Sequence, residues 1–323
     1  MQNVGSKGRD SLGGQQRVGG GQIPGSGPDA PAFEQIAPVP SSIPVLISVP
    51  HAGRCYPSEI LARMRHPEIA ALRLEDRLVD RLGEAVAEMT GASLLVARAP
   101  RAMIDLNRSP DDVDWDMLGL GAPAGRAIPN GRARSGLGLV PRRLPGMGEI
   151  WRGQLRRAEL VERIADIHRP YHAALAESLA SLRARWGAAL LIDLHSMPPL
   201  PRIDGHDAAA IVVGDRFGKS CDGALVASAF THFSAHGRMA AHNRPYAGGY
   251  VLDTHGAPRA GVHAMQIEID RSAYLDSRLV GLGEGFSGMA LVLAGLVRRL
   301  ANEVATRGGS HGIAGDHWAE AAE

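Results

Sequence analysis

The sequence predicts an α/β fold: a mainly parallel or mixed central sheet with helices on both faces. Three observations predict it. Short apolar runs, rich in β-branched residues or leucine, alternate with helical stretches, as at Ile43–Pro50 and Ala188–Leu194. Neither run alternates apolar with polar, which suits strands buried on both faces by crossover helices. A histidine follows each run directly, His51 and His195, and open α/β sheets bind ligands at the carboxyl ends of their strands.

Residues 1–38 are dominated by Gly, Gln, Ser and Pro, lack an apolar h-region, and are expected to form a disordered amino-terminal extension. A single α/β domain is expected over 39–305. After the first strand, Leu72, Leu74, Leu78, Val79, Leu82 and Val86 form an apolar stripe. That stripe predicts one helix from Pro67 to Thr90, stopped by Gly91. Ser93–Ala97 reads as a strand and Ala102–Leu106 as a short extended piece. Residues 111–150 follow as a long loop crowded with Gly, Pro and Arg, a candidate lid. A helix from about Gly153 to Trp186 leads into the His195 strand. Ala209–Val213 (strand), Asp222–Phe233 (helix), His263–Asp270 (strand) and Ser272–Val304 (helix) complete the pattern, and 306–323 reads as a flexible tail.

A chain of 323 residues can bury a substantial core. Its 35 basic residues are scattered among 34 acidic ones, for a net charge of +1, which argues for a small-molecule partner and against nucleic acid. The longest apolar stretch, near Met289–Val297, falls short of the roughly 20 residues that span a bilayer, so no membrane partner is expected. Two cysteines, Cys55 and Cys221, are too few for a disulfide framework and fit a cytoplasmic location.

Catalytic zinc takes three protein ligands and leaves a fourth position for water. His51 and His195 supply two. Glu75, Asp76 and Asp80 compete for the third place, with Asp76 preferred; the alternative pairs all three with Arg73, Arg77 and Arg81 on a solvated face. Asp193 shares a strand face with His195 and is placed to orient its imidazole. Glu268 and Asp270 share a face of their own strand, with Arg271 as an alternative partner for Glu268. Gly248 and Gly249, in Asn243–Tyr250, allow a backbone to approach a ligand closely. His242, His255 and His263 are scattered and read as structural. Cys55 lacks the strand-to-helix elbow of a nucleophile, and the Gly-x-Ser-x-Gly match at Gly308–Gly312 has no strand before it.

Six segments then carry a resemblance: Val49-Pro-His-Ala-Gly53, Glu75-Asp76, Asp105-Leu-Asn-Arg108, Asp193-Leu-His-Ser196, Pro245-Tyr-Ala-Gly-Gly-Tyr250 and Gln266-Ile-Glu-Ile-Asp270. In this order, over roughly residues 40–300, the chain resembles the N-formylglutamate amidohydrolase family. It is also similar to the wider zinc carboxypeptidase and aspartoacylase group, whose phosphorylase/hydrolase-like fold the resemblance implies. One position departs: Arg54 stands where the wider group has a glutamate ligand.

The resemblance implies a hydrolase that cleaves N-formyl-L-glutamate to formate and L-glutamate, late in histidine breakdown. Zn2+, or another divalent metal, would sit on His51, Asp76 and His195. Glu268 would be the base and Arg101 the oxyanion partner. Asn107 and Arg108 would clamp the α-carboxylate, with Arg244, Tyr246, Gly248 and Gly249 also lining the substrate pocket. Arg202, Arg244 and Arg271 are candidates for a side-chain carboxylate. A zinc amidase or carboxypeptidase for another N-acyl amino acid is the alternative. A non-catalytic metal- or ligand-binding module is a second, disfavoured because binding alone needs neither a base nor an oxyanion partner.

Overall fold

The structure, a computed structural model, describes residues 10–12, 15–119, 131–202 and 208–309. From the amino end, β1 (Asp10–Leu12), β2 (Gln15–Gly20) and β3 (Phe33–Pro38) precede β4 (Val45–Val49). Helices α1 (Ser58–Arg63), α2 (Pro67–Leu74) and α3 (Val79–Thr90) lead to β5 (Ser93–Ala97). A 3-10 turn at Trp115–Leu118, the short α4 (Gly131–Arg134) and the hairpin β6 (Arg143–Leu144) with β7 (Gly148–Glu149) come next. The helix α5 (Arg157–Arg163), a π-helical turn at Ile164–His168 and α6 (Arg169–Trp186) run on into β8 (Ala189–Met197). The chain then forms β9 (Ile211–Gly214), α7 (Gly223–Ala235), β10 (Ala240–His242), α8 (Tyr250–His255), β11 (Val262–Asp270) and α9 (Phe286–Gly309).

One mixed sheet organises the fold, in the strand order β1-β2-β3-β5-β4-β8-β11-β9-β10. Its centre, β5-β4-β8-β11, is parallel, while β1, β2 and β3 add antiparallel pairings at one side and β9 runs antiparallel to β11. The uninterrupted apolar runs have a direct cause. Val45, Ile47 and Val49 enter the core beneath α3, α7 and α9, while Leu46, between them, enters the opposite core with Tyr171 and Leu175 of α6. Because strand side chains alternate faces, a strand covered on both sides needs apolar residues at every position. No helix among the described residues is long and apolar enough to cross a membrane.

Five expectations need correction. The amino-terminal segment is not structureless: β2 and β3 extend the sheet, Phe33 meets Tyr171 edge-on at 5.6 Å, and Ile23 is fully buried. The Pro67–Thr90 stripe is two helices, broken at Glu75–Leu78, where Glu75 is extended and Leu78 takes a left-handed φ of 56°. Ala102–Leu106 forms turns and coil instead of an extended piece. Residues 111–150 are more than a loop, since Val113, Met117, Leu139 and Leu144 are buried and Arg142 ties Asp114 (2.6 Å) to Glu149 (2.9 Å). The closing helix expected from Ser272 begins only at Phe286 and continues to Gly309; residues 120–130, and 310–323 of the expected tail, lie outside the described residues.

The packing of Phe33 makes the first correction measurable. Phe33→Ala should cost about 3–5 kcal/mol of stability through the cavity it leaves, lowering the urea midpoint, whereas a disordered extension would leave the midpoint where it was.

Candidate active site

The site begins with register. Ser48 of β4 lies opposite Asp193 of β8, and His195 lies opposite Glu268 of β11. Parallel strands paired this way deliver their carboxyl ends to one edge, so His51, His195 and Glu268 meet there although they are far apart in sequence. The imidazole ring centroids of His51 and His195 are 4.7 Å apart.

Each ring is held from behind by a carboxylate. His51 Nε2 is 2.7 Å from Asp105 Oδ1, and His195 Nε2 is 2.8 Å from Asp193 Oδ2. Ionised carboxylates only accept, so each Nε2 carries the proton and both Nδ1 atoms turn inward. Between them stands Asp76, whose Oδ2 is 2.9 Å from His195 Nδ1 and 3.6 Å from His51 Nδ1. Asp193 is anchored in turn by the Ser48 hydroxyl at 3.0 Å, and that hydroxyl meets Tyr171 at 2.9 Å.

The helix break explains why Asp76 reaches inward. Extended backbone at Glu75 turns the chain off α2, and the Asp76 N–H donates to the His51 carbonyl at 2.9 Å. Of the three candidate carboxylates, Asp76 alone joins the two histidines. Asp80 takes both terminal nitrogens of Arg54, at 3.1 and 2.6 Å, and Glu75 pairs with Arg77 at 3.0 Å. Gly53 permits the tight approach behind His51, because a Cβ there would lie 2.0 Å from the Ala99 carbonyl oxygen.

His51, Asp76 and His195 form a group that could hold a metal ion, their ligand atoms all within 4.8 Å of one another. His51 Nδ1 is buried without a hydrogen-bond partner among the described residues. Tetrahedral ligands at zinc bond lengths stand about 3.3 Å apart, so these residues fit a divalent cation. Electrostatics agree. Burial alone would lower the pKa of His195, yet Asp193, Asp76 and Glu268 together hold it well above the usual imidazole value. Burial alone would raise Asp76, but the hydrogen bond with His195 and the nearby His51 ring hold it well below the ordinary carboxylate range.

A cleft of about 200 Å³, open at its mouth, extends from this centre. Arg101, Asn107, Arg108, Tyr246, Gly248, Gly249 and Glu268 line it. Arg101 is fixed by Asp105 through Nε and a terminal nitrogen, at 3.0 and 2.9 Å. Burial pushes the Glu268 carboxyl up to about 7, with His195 drawing it down and Asp76 raising it. Gly249 packs so closely on Asn107 that a Cβ would lie 2.6 Å from its Oδ1. Arg244 does not join the lining: it is exposed outside the cleft wall, as is Arg202, because the side chains that enter come from the turn after it. Arg271 does line the cleft, but its nitrogens donate to Ser196 Oγ (3.2 Å), Leu72 O (3.3 Å) and Glu75 O.

Sequence reasoning missed several participants. Gln266 links Asn107 Nδ2 (3.3 Å) to Glu268 Oε1 (3.0 Å), and the two-residue strand period that singled out Asp193 would have found it. Asp105 gained no role from sequence, although it joins His51 to Arg101. His168 and His172 rise from the π-helical turn and α6 to the carbonyls of Arg108 and Leu106, each at 2.9 Å, and bracket Asn107. Burial lowers both imidazoles and brings His255, 3.0 Å from His172 Nδ1, to about 4, so all three stay neutral donors.

Such a cleft, with two carboxylate-held imidazoles, a third carboxylate and a buried glutamic acid converging at the parallel strand ends, defines an enzyme class: a hydrolase with a candidate His-Asp-His metal centre. Comparison with known proteins gives the family. Residues 43–275 match the family model described as N-formylglutamate amidohydrolase, and the chain belongs to that family. It is 31% identical over 238 residues to the N-formylglutamate deformylase of Pseudomonas aeruginosa, covering 73% of this chain and 84% of that protein. The Pseudomonas putida deformylase is 30% identical over 240 residues, covering 72% and 82%. The crystal structure of N-formylglutamate amidohydrolase from Ralstonia eutropha JMP134 superposes with a TM-score of 0.76 at 34% identity, over 84% of this chain and 98% of that one.

The raised pKa of His195 sets a test. An ion can occupy Nδ1 only after that proton leaves, so zinc uptake near pH 7 should release about one proton and strengthen as pH rises. Calorimetry in buffers of different ionisation heat measures the release. Asp76→Asn should weaken binding at least about 100-fold; a variant that binds as well as wild type would remove Asp76 from the ligand set.

Proposed function

We propose that the protein hydrolyses N-formyl-L-glutamate to formate and L-glutamate, using a divalent cation, zinc by preference, held by His51, Asp76 and His195. One observation carries this reading: Glu268, buried and opposite His195 on the adjacent strand, faces the same cleft as the three prospective ligands. A cation there lowers the pKa of water toward about 7 and polarises the formyl oxygen.

The remaining chemistry belongs to the chain's own side chains. Glu268 takes a proton from the attacking water and passes it to the departing amine, a task suited to a carboxyl poised near neutrality. Arg101, held in place by Asp105, stabilises the charge that grows on the carbonyl oxygen. Arg108 receives the α-carboxylate with help from the second proton of Asn107 Nδ2, which fixes the scissile amide one bond away. Tyr246, its hydroxyl raised by burial and by the charges of Glu268 and Asp76, stays protonated as a donor. Leu137 and Leu144 bring part of the 111–150 segment to the cleft wall, which supports its role as a lid.

Glu268→Gln should lower kcat/KM for N-formylglutamate by about 10²–10⁴-fold while metal content is retained, as read by formate release and metal analysis. In the wild type, activity should fall as pH drops through the pKa of the base. That limb lies below 7, because a bound cation stabilises the ionised carboxylate. Full activity in Glu268→Gln would show that another group moves the proton.

A further inference from the structure

The cleft carries four guanidinium groups, from Arg73, Arg101, Arg108 and Arg271. Three are engaged within the protein. Arg101 is bound twice to buried Asp105. Arg108 donates to the carbonyls of Asn107 at 2.8 Å and Leu137 at 3.2 Å. Arg271 is committed to Ser196, Leu72 and Glu75, and stands 3.6 Å from Asp76 Oδ1. Arg73 differs. It is exposed at the cleft, and among the described residues it has neither a hydrogen bond nor an ion pair.

Its position is nevertheless well determined. Arg73 lies in the last turn of α2, three residues before Asp76, with neighbouring Leu74 buried. Arg271 holds the carbonyls of Leu72 and Glu75, on either side of it. The backbone that presents Arg73 is therefore clasped by the same side chain that steadies the approach to Asp76. A long cation on a fixed stem, without an internal partner, is available to an anion entering the cleft.

An acidic N-acyl amino acid brings two carboxylates. One sits beside the scissile amide, and the other ends the side chain, farther from the reacting bond. We propose that Arg73 is the specificity-determining residue for the second, receiving the substrate's side-chain carboxylate while the acyl group lies at His51, Asp76 and His195. This rests on the functional reading above.

The test is the preference for N-formylglutamate over its uncharged isostere N-formylglutamine, as a ratio of kcat/KM values. Arg73→Gln should lower that preference about two- to fivefold, the size expected for a partly solvated charge pair. Arg73→Lys, which keeps the charge, should restore most of it, and a thermal melt of each variant checks the fold. An unchanged preference in Arg73→Gln overturns the assignment and leaves the activity standing. A wild-type enzyme that turns over neither compound takes down both the functional reading and the assignment.

Discussion

Everything in the site follows from the need to balance buried charge. Asp76, Asp105, Asp193 and Glu268 are all buried, and so are the two imidazoles among them. Removing charges from water costs several kcal/mol each unless they are paired. Arg101 answers Asp105 and Arg271 stands 3.6 Å from Asp76, so four carboxylates and two guanidinium groups leave net negative charge beside the two rings. Without another cation the cluster holds its protons, which is why His195 is raised well above its ordinary value and Glu268 is pushed up to about 7. A divalent ion between the two Nδ1 atoms and Asp76 would supply the missing positive charge, so affinity for such an ion and acid-base poise have the same origin.

The fold meets this demand with rigid parts. Strands β4, β8 and β11 set the two histidines and Glu268, and a buried Ser48–Asp193 bond locks the ring that the strand delivers. The other face is built from irregular backbone. The break at Glu75–Leu78 turns Asp76 inward, the turns around Asp105 carry its carboxylate to His51, and Gly249 lets α8 begin against Asn107. Coil is tolerated at this depth because its carbonyls have donors: His168 and His172 serve Arg108 and Leu106, and Arg271 serves Leu72 and Glu75.

Much of this was legible in sequence where one residue's pattern determines its place. A histidine at the tip of an apolar strand, or an acid two residues before it, needs only the strand period to be located. Partners chosen by tertiary contact left no such mark. Neither Asp105 as the support of His51 nor Arg73 at the cleft follows from spacing, since each depends on how coil and a helix end are tied down. The helix break hid inside an unbroken apolar stripe, because Leu74 and Val79 are both buried although they belong to different helices. The strands β2 and β3 escaped for the opposite reason: Gln15–Gly20 has little apolar character, and its pairing with β3 overrides its weak propensity.

Arg54 shows how one ion pair can decide which carboxylate faces the candidate centre. An arginine, always charged, cannot bind a cation, and a free guanidinium beside the centre would repel one. Here its charge is turned away and satisfied by Asp80, a carboxylate in the first turn of α3 that is thereby removed from competition. The ion pair thus does two things: it neutralises a buried aspartate and leaves Asp76 as the one carboxylate of its segment facing both imidazoles. The candidate ligand Asp76 is carried by the chain between α2 and α3, so that segment must be held as firmly as a strand. Arg271 donating to Glu75 and Leu72, with the Asp76 N–H bound to the His51 carbonyl, provides that firmness.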